Sequence, residues 1–254
     1  MQIWDHFRHF MASVYDWFAT GANWKGPSGI PDLVWHQLEL SFAVVLGAVV
    51  IGGGIGLVLG HTGRGGLVAV NAANAARAVP SLALLTLFAI IPAISLKWSG
   101  FLAAFLALLI LAIPPVLTNT YVGIREVDTD VREAASAMGL TGGQVLRRVE
   151  LPLAIPVLMA GVRTASIEVV ATSTLAAYVS FSDLGTPIIA GLNTNDTVEA
   201  FAGALVVAVL AAVVAFGLGA VQKALTPTPL RRHVQGLGRP SRGTVPTITG
   251  SPAV

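Results

Sequence analysis

One charge-bearing segment in an apolar chain has the residue types and spacing of a docking surface. The sequence Glu133-Ala134-Ala135 is followed after three residues by Gly139, and Val149 then stands two positions before Leu151-Pro152. The Glu133 carboxylate can pair with an arginine or lysine of a partner, and small residues let that partner approach closely. The chemistry expected of this segment is therefore contact between proteins rather than bond-making.

The local pattern of the same segment predicts two short helices joined by a tight turn. Residues 131–138 are good helix formers, and Gly139 follows where a helix ends in a left-handed residue. Thr141 precedes Gln144 by three positions, which is typical of a capping box at the start of a second helix. We expect that second helix to stop before Pro152, because the residue preceding a proline is pushed out of the α region.

Two roles are open for the Glu133 side chain. It can face a partner protein, or it can pair within the loop with Arg132 or Arg147.

A second carboxylate, Glu168, falls near the middle of an apolar stretch. Carboxylates inside a membrane are costly and usually face an interior or a wet cavity. Arg163 stands five residues earlier, roughly 140° around an ideal helix, so the two do not form a simple same-face pair. Glu168 can line a translocation path, or it can be held by Thr164, Thr172 or another helix.

Gly52, Gly56 and Gly60 recur every four residues along another apolar stretch. This spacing places them on one helix face, where a second helix can approach closely. Packing within the subunit is the simpler explanation, and a seam between subunits is the alternative.

The sequence offers no constellation that predicts catalysis. It has no cysteine, no G-x-x-x-x-G-K-[ST] phosphate loop and no H-E-x-x-H pair, and its five histidines are isolated. We therefore expect a chain that is not an enzyme and that holds no metal or cofactor of its own.

Composition places the chain in a membrane. Of its 254 residues, 54% are hydrophobic and 11% are charged, whereas a soluble domain carries about 25% charged residues. The formal net charge is only +2, and the arginines are scattered, so no nucleic-acid-binding face is expected. The fold class predicted is all-α, a polytopic membrane helical bundle.

Five segments are long and apolar enough to span a bilayer, which needs about 20 apolar residues per helix. The second and third contain prolines, which are tolerated where neighbouring helices satisfy the freed carbonyls. The predicted spans are Leu38–Gly60, Ala78–Leu96, Gly100–Val122, Pro156–Tyr178 and Val198–Leu225.

Lysine and arginine in the connecting segments predict the orientation, because cytoplasmic loops carry an excess of both. The loop around Glu133 and the C-terminal segment are rich in arginine, whereas the connector Val179–Thr197 holds neither residue. We expect the N-terminus outside, and the Glu133 loop and the C-terminus inside. Residues 7–18 are expected to form an interfacial amphipathic helix.

Residues 226–254 are rich in Pro, Gly, Ser, Thr and Arg and are expected to form a disordered basic tail. Its arginines can lie against anionic membrane lipid, or they can simply be solvated on the cytoplasmic side.

Several motifs together carry a resemblance to a known family. The Glu133 segment resembles the EAA loop of bacterial ABC importer permeases, with Val149 where isoleucine is usual. The stretches 78–83, 115–124 and 151–164 are similar to segments of permeases that import glycine betaine, carnitine and choline. The resemblance covers residues 35–225.

The resemblance implies the type I ABC importer permease fold in a bacterial inner membrane. Residues 36–225 would form the permease domain, after an external segment of residues 1–35. The implied partners are ABC ATPase subunits, which would bind the ATP, an extracytoplasmic solute-binding protein, and a second permease subunit, identical or paralogous. The family's ATPase-coupling role would fall on Glu133, Ala134, Ala135, Gly139, Leu151 and Pro152.

Two alternatives to osmoprotectant import stay open. A permease of the same fold can carry another small solute, such as an amino acid or a sulfonate. A membrane scaffold subunit with no transported solute is the more distant alternative.

Overall fold

A computed structural model describes residues 2–91 and 100–226, and within these ranges the chain forms helices and connecting turns without a strand. The α-helices are α1 (Gln2–Ala19), α2 (Ile30–Ala48), α3 (Gly54–Thr62), α4 (Gly66–Ala76), α5 (Ser81–Ile90), α6 (Phe101–Arg125), α7 (Thr129–Ala137), α8 (Gly142–Val145), α9 (Leu151–Ser173), α10 (Gly185–Thr194) and α11 (Thr197–Leu225).

Four helical stretches in the described ranges are long and apolar enough to cross a membrane. They are Ile30–Thr62, Phe101–Arg125, Gly142–Val179 and Thr197–Leu225. The helices α4 and α5 make a fifth span if they are counted together, although they are bent by 80°. The predicted bundle of about five spans is thus confirmed.

The second predicted span differs most from the structure. Where one helix was expected over Ala78–Leu96, α5 begins at Ser81, after the break that Pro80 imposes, and α4 precedes it. Residues 92–99, at the end of that predicted span, lie outside the described residues. The predicted tail, residues 226–254, lies outside them as well, except for Thr226.

The helix α6 forms the centre of the bundle and contacts α2, α3, α4, α5 and α9. Its two interior prolines, Pro114 and Pro115, are buried, and the Asn119 side chain donates a hydrogen bond to the Pro115 carbonyl at 2.8 Å. Around α6 lies an apolar core. The fully buried large side chains of that core include Leu40, Val44, Leu85, Leu108 and Val169.

The three glycines at four-residue spacing lie against α6. A side chain added at Gly52, Gly56 or Gly60 would stand 2.7 to 2.9 Å from the nearest α6 atom. These positions therefore permit the close approach of two helices within one subunit.

The predicted stop before Pro152 is wrong. A π-helical turn, Leu146–Glu150, follows α8 and leads directly into α9, where Pro152 lies in the first turn. The wider π turn comes where the proline ring would otherwise clash with a preceding carbonyl. The helix from the Glu133 loop is thus continuous into the membrane, and it begins well before the predicted Pro156.

The two ends of the chain carry further helices. The helix α1 covers the predicted amphipathic segment and packs against α11, where the rings of Phe10 and Phe201 are 5.2 Å apart. The helix α10, in the connector before α11, was not predicted from the sequence.

Candidate functional site

The Glu133 loop is a helix, a tight turn and a second helix. Asp128 caps α7 by accepting a hydrogen bond from the Asp130 amide at 2.9 Å. Gly139 ends that helix with φ +86°, in the left-handed region that was predicted for it. The predicted capping box is present at the start of α8, where the Thr141 amide donates to Gln144 Oε1 at 2.8 Å.

The loop presents a mixed surface. Glu133, Ala134 and Gly139 are exposed, and the side chain of Met138 is 76% exposed beside them. Ala135 is buried instead, and Leu151 and Pro152 are half-buried at the start of α9. Among the described residues Glu133 takes part in no ion pair, and Arg132, one of its two candidate partners, pairs elsewhere.

Glu150 fastens the loop to the bundle, a role that no motif in the sequence indicates. Its side chain is only 2% exposed and accepts a hydrogen bond from His61 Nδ1 at 2.7 Å. Arg132 Nε lies 3.3 Å from its other oxygen, and the same guanidinium donates to the Ile124 carbonyl at the end of α6. The sequence feature that could have indicated this role is a carboxylate in the half-apolar turn just before Leu151.

Glu168 is held by Arg77, a partner that the sequence pattern does not predict. Arg77, at the break between α4 and α5, forms an ion pair and a hydrogen bond with the Glu168 carboxylate. Thr164 instead donates to the Ala160 carbonyl. The guanidinium of Arg163 lies near Gly219 on α11.

The Arg77–Glu168 pair borders a cavity of about 330 Å³. Both side chains remain partly exposed there, at 38% and 40%. The cavity lies nearer the Gly100 end of α6 than the Glu133 loop, since Leu108 and Leu111 form part of its wall. It is of a size that suits a small ligand.

At the end of the bundle opposite the Glu133 loop, a buried polar cluster fixes the turn between α9 and α10. Gln37 of α2 donates to Ser173 Oγ at 2.7 Å and accepts from the Leu184 amide at 3.3 Å. Asp183 accepts from the Gly185 amide at 2.8 Å through one oxygen. Burial raises the pKa of Asp183 to about 7, against the lowering effect of that hydrogen bond.

Comparison with known proteins agrees with this architecture. A sequence profile described as "Binding-protein-dependent transport system inner membrane component" matches residues 48–230. The carnitine transport permease protein OpuCB of Listeria monocytogenes is 35% identical over 80% of this chain and 90% of its own length. The choline transport system permease protein OpuBB of Bacillus subtilis is 34% identical over 78% and 89%.

A solved structure shares the fold. A chain of the methionine ABC transporter MetNI, in an inward-facing conformation, superposes with a TM-score of 0.66 and 25% identity. The match covers 78% of this chain and 96% of that one.

The profile match spans more than half of the chain, and the two permeases match most of it. With its long apolar helices, the chain is a multi-pass inner-membrane protein. It belongs to the family of inner-membrane components of binding-protein-dependent transport systems.

Proposed function

We propose that the chain is the permease subunit of an ATP-driven importer of quaternary-ammonium solutes of the glycine betaine, choline and carnitine type. The observation that carries the transport role is the exposed helix–turn–helix loop, whose second helix continues without a break into a membrane span. Such a loop offers a docking surface at one end and a direct connection to the bundle at the other.

The coupling role falls on the two ends of this loop. Glu133, Ala134 and Gly139 would meet a separate ATPase subunit, since they are exposed and Glu133 has no ion-pair partner in the described part of the chain. Ala135 would support that surface from beneath. Leu151 and Pro152 would pass the movement into α9. ATP would be bound by the partner subunit.

The solute class is supported by the relatives. OpuCB of Listeria monocytogenes is named for carnitine and OpuBB of Bacillus subtilis for choline, and both solutes carry a quaternary ammonium group. An extracytoplasmic binding protein would deliver the solute. Glu168, the carboxylate that borders the cavity, would lie on its path.

A second permease subunit would complete the pathway. The Arg77–Glu168 pair is partly exposed on the surface of one chain, and charges that face lipid are costly. A second copy, or a paralogous chain, would cover this face and enclose the cavity between two subunits.

For the domains and the orientation we propose the arrangement expected from the sequence. Residues 1–35 would lie outside, residues 36–225 would form the permease domain, and residues 226–254 would form the cytoplasmic tail. The loop with Glu133 would then face the cytoplasm, where an ATPase can reach it.

Single cysteines test this orientation cleanly, because the chain has none of its own. Ser182 and Ser136 are both exposed, and in the proposed arrangement they would lie on opposite sides of the membrane. We expect an impermeant thiol reagent to label Ser182→Cys, but not Ser136→Cys, in intact cells. Permeabilised cells provide the control, since both positions should then react. Labelling of Ser136→Cys alone in intact cells would show that the orientation is the opposite of the one proposed.

Uptake by cells with and without the chain tests the solute class. We expect deletion to abolish uptake of radiolabelled glycine betaine, carnitine or choline through this system. External betaine should then no longer rescue growth at high osmolarity. Re-expression of the chain should restore both. Unchanged uptake of all three solutes, with loss of an unrelated solute, would leave the family assignment intact and contradict the proposed solute class.

A further inference from the structure

The cavity beside α9 has two walls of different character. One is apolar, formed by Leu108, Leu111 and Val169. The other carries Arg77, at the break between α4 and α5, and Glu168 of α9, which form an ion pair and are the only full charges among the described residues that line the cavity. Opposite charges therefore meet at the edge of a space whose other described lining residues are uncharged.

The positive end of this pair is strengthened by backbone groups. Ser81 begins α5 and lines the same cavity. The first amides of a helix have no partner within the helix and favour a negative group. Arg77 and the start of α5 thus form one positive region, and Glu168 forms the facing negative one.

A zwitterionic solute can supply an opposite charge to each member of such an ion pair. A carboxylate accepts hydrogen bonds from a guanidinium in a fixed geometry. A quaternary ammonium has no N–H to donate, so it needs only an unscreened negative charge and apolar contact for its methyl groups. The Glu168 carboxylate and the leucine wall offer these two features side by side.

We propose that this cavity is a transient binding site for zwitterionic quaternary-ammonium solutes, with Arg77 receiving the carboxylate and Glu168 the ammonium. The inference rests on the proposed function and adds a basis for selectivity within the membrane. A betaine opens the ion pair and satisfies both charges, whereas choline, which has no carboxylate, leaves Arg77 unpaired.

The test compares carnitine with choline in cells that express the complete transporter. Arg77→Gln removes the carboxylate partner and frees Glu168. We expect the carnitine-to-choline ratio of uptake efficiencies, each the maximal rate divided by KM, to fall by about tenfold, the equivalent of one charge-assisted hydrogen bond. Glu168→Gln should lower the uptake of both solutes, because both need the negative charge.

Arg163→Gln is the matched control, since it removes an arginine from the same bundle without changing the cavity lining. It should leave the ratio unchanged. The double variant Arg77→Gln/Glu168→Gln leaves neither charge unpaired, and it should still transport carnitine poorly. If the ion pair were purely structural, Arg77→Gln would change the uptake of carnitine and of choline by the same factor. Wild-type uptake rates in the double variant would also contradict the proposed site.

The purified permease–ATPase complex separates this inference from the proposed function. Millimolar carnitine should raise the melting temperature of the unmodified complex, but not that of Arg77→Gln or Glu168→Gln. The absence of any rise in the unmodified complex would overturn the binding site. Retained stabilisation without carnitine uptake in cells would contradict the import role and leave the site intact.

Discussion

Replacing Gly139 with valine is expected to reduce uptake by at least about tenfold while the protein still inserts and assembles. Gly139 has φ +86°, which is unfavourable for a β-branched residue by about 1–3 kcal/mol. No neighbouring atom lies within 4 Å of the position of an added Cβ, so the effect comes from the backbone and not from a clash. Solute uptake and the ATP hydrolysis of the reconstituted complex provide the measurement.

Two variants serve as controls for this prediction. Gly139→Asn should retain most of the uptake, because asparagine tolerates the left-handed conformation better than other residues. Gly143→Ala, in the exposed second helix of the loop, should be nearly neutral. Wild-type uptake in Gly139→Val, at equal protein levels, would show that the turn is not needed for coupling.

Replacing Glu150 with alanine is expected to lower the stability of the fold more than any other substitution proposed for the loop. The carboxylate is 2% exposed and is shared by His61 and Arg132. Breaking a buried ion pair costs up to about 3–5 kcal/mol when the remaining charge is left buried, and His61 and Arg132 are left partly buried here, at 28% and 18% exposed. The melting temperature of the purified protein should fall, and less ATPase should co-purify, because the loop loses its fastening to the bundle.

Glu126→Ala is the matched control, since Glu126 is an exposed carboxylate at the end of α6. It should shift stability by no more than about 0.5 kcal/mol. Glu150→Gln retains an acceptor for the same donors and should fall between the two. An unchanged melting temperature in Glu150→Ala would show that this anchor contributes nothing to the fold.

The spans and the loop could be predicted because their signals are local. A run of apolar residues long enough for a bilayer specifies a helix on its own, as it does for Phe101–Arg125. The turn at Gly139 and the cap at Thr141 likewise depend on residues within a few positions. At Pro152 the same local reasoning failed, because a π turn accommodated the proline inside a longer helix.

The pairing of charges could not be predicted, because it depends on distant segments. Arg77 and Glu168 are 91 positions apart, and His61 and Glu150 are 89 apart. Neither pair follows from periodicity or spacing. The sequence could identify Glu168 as unusual for a membrane span, but its partner emerges only from the packing of α4, α5 and α9 around α6.

The unbroken helix from the loop into the membrane has a mechanical consequence. It approaches α6 closely at Gly161, where an added Cβ would stand 2.6 Å from Asn119 and 2.7 Å from the Pro115 carbonyl. Glu150 and Glu168 lie on opposite sides of this contact. A rigid rod that tilts about a contact between its ends behaves as a lever. The end near Glu150 and the end near Glu168 would then move in opposite directions, separated along the axis by about 27 Å.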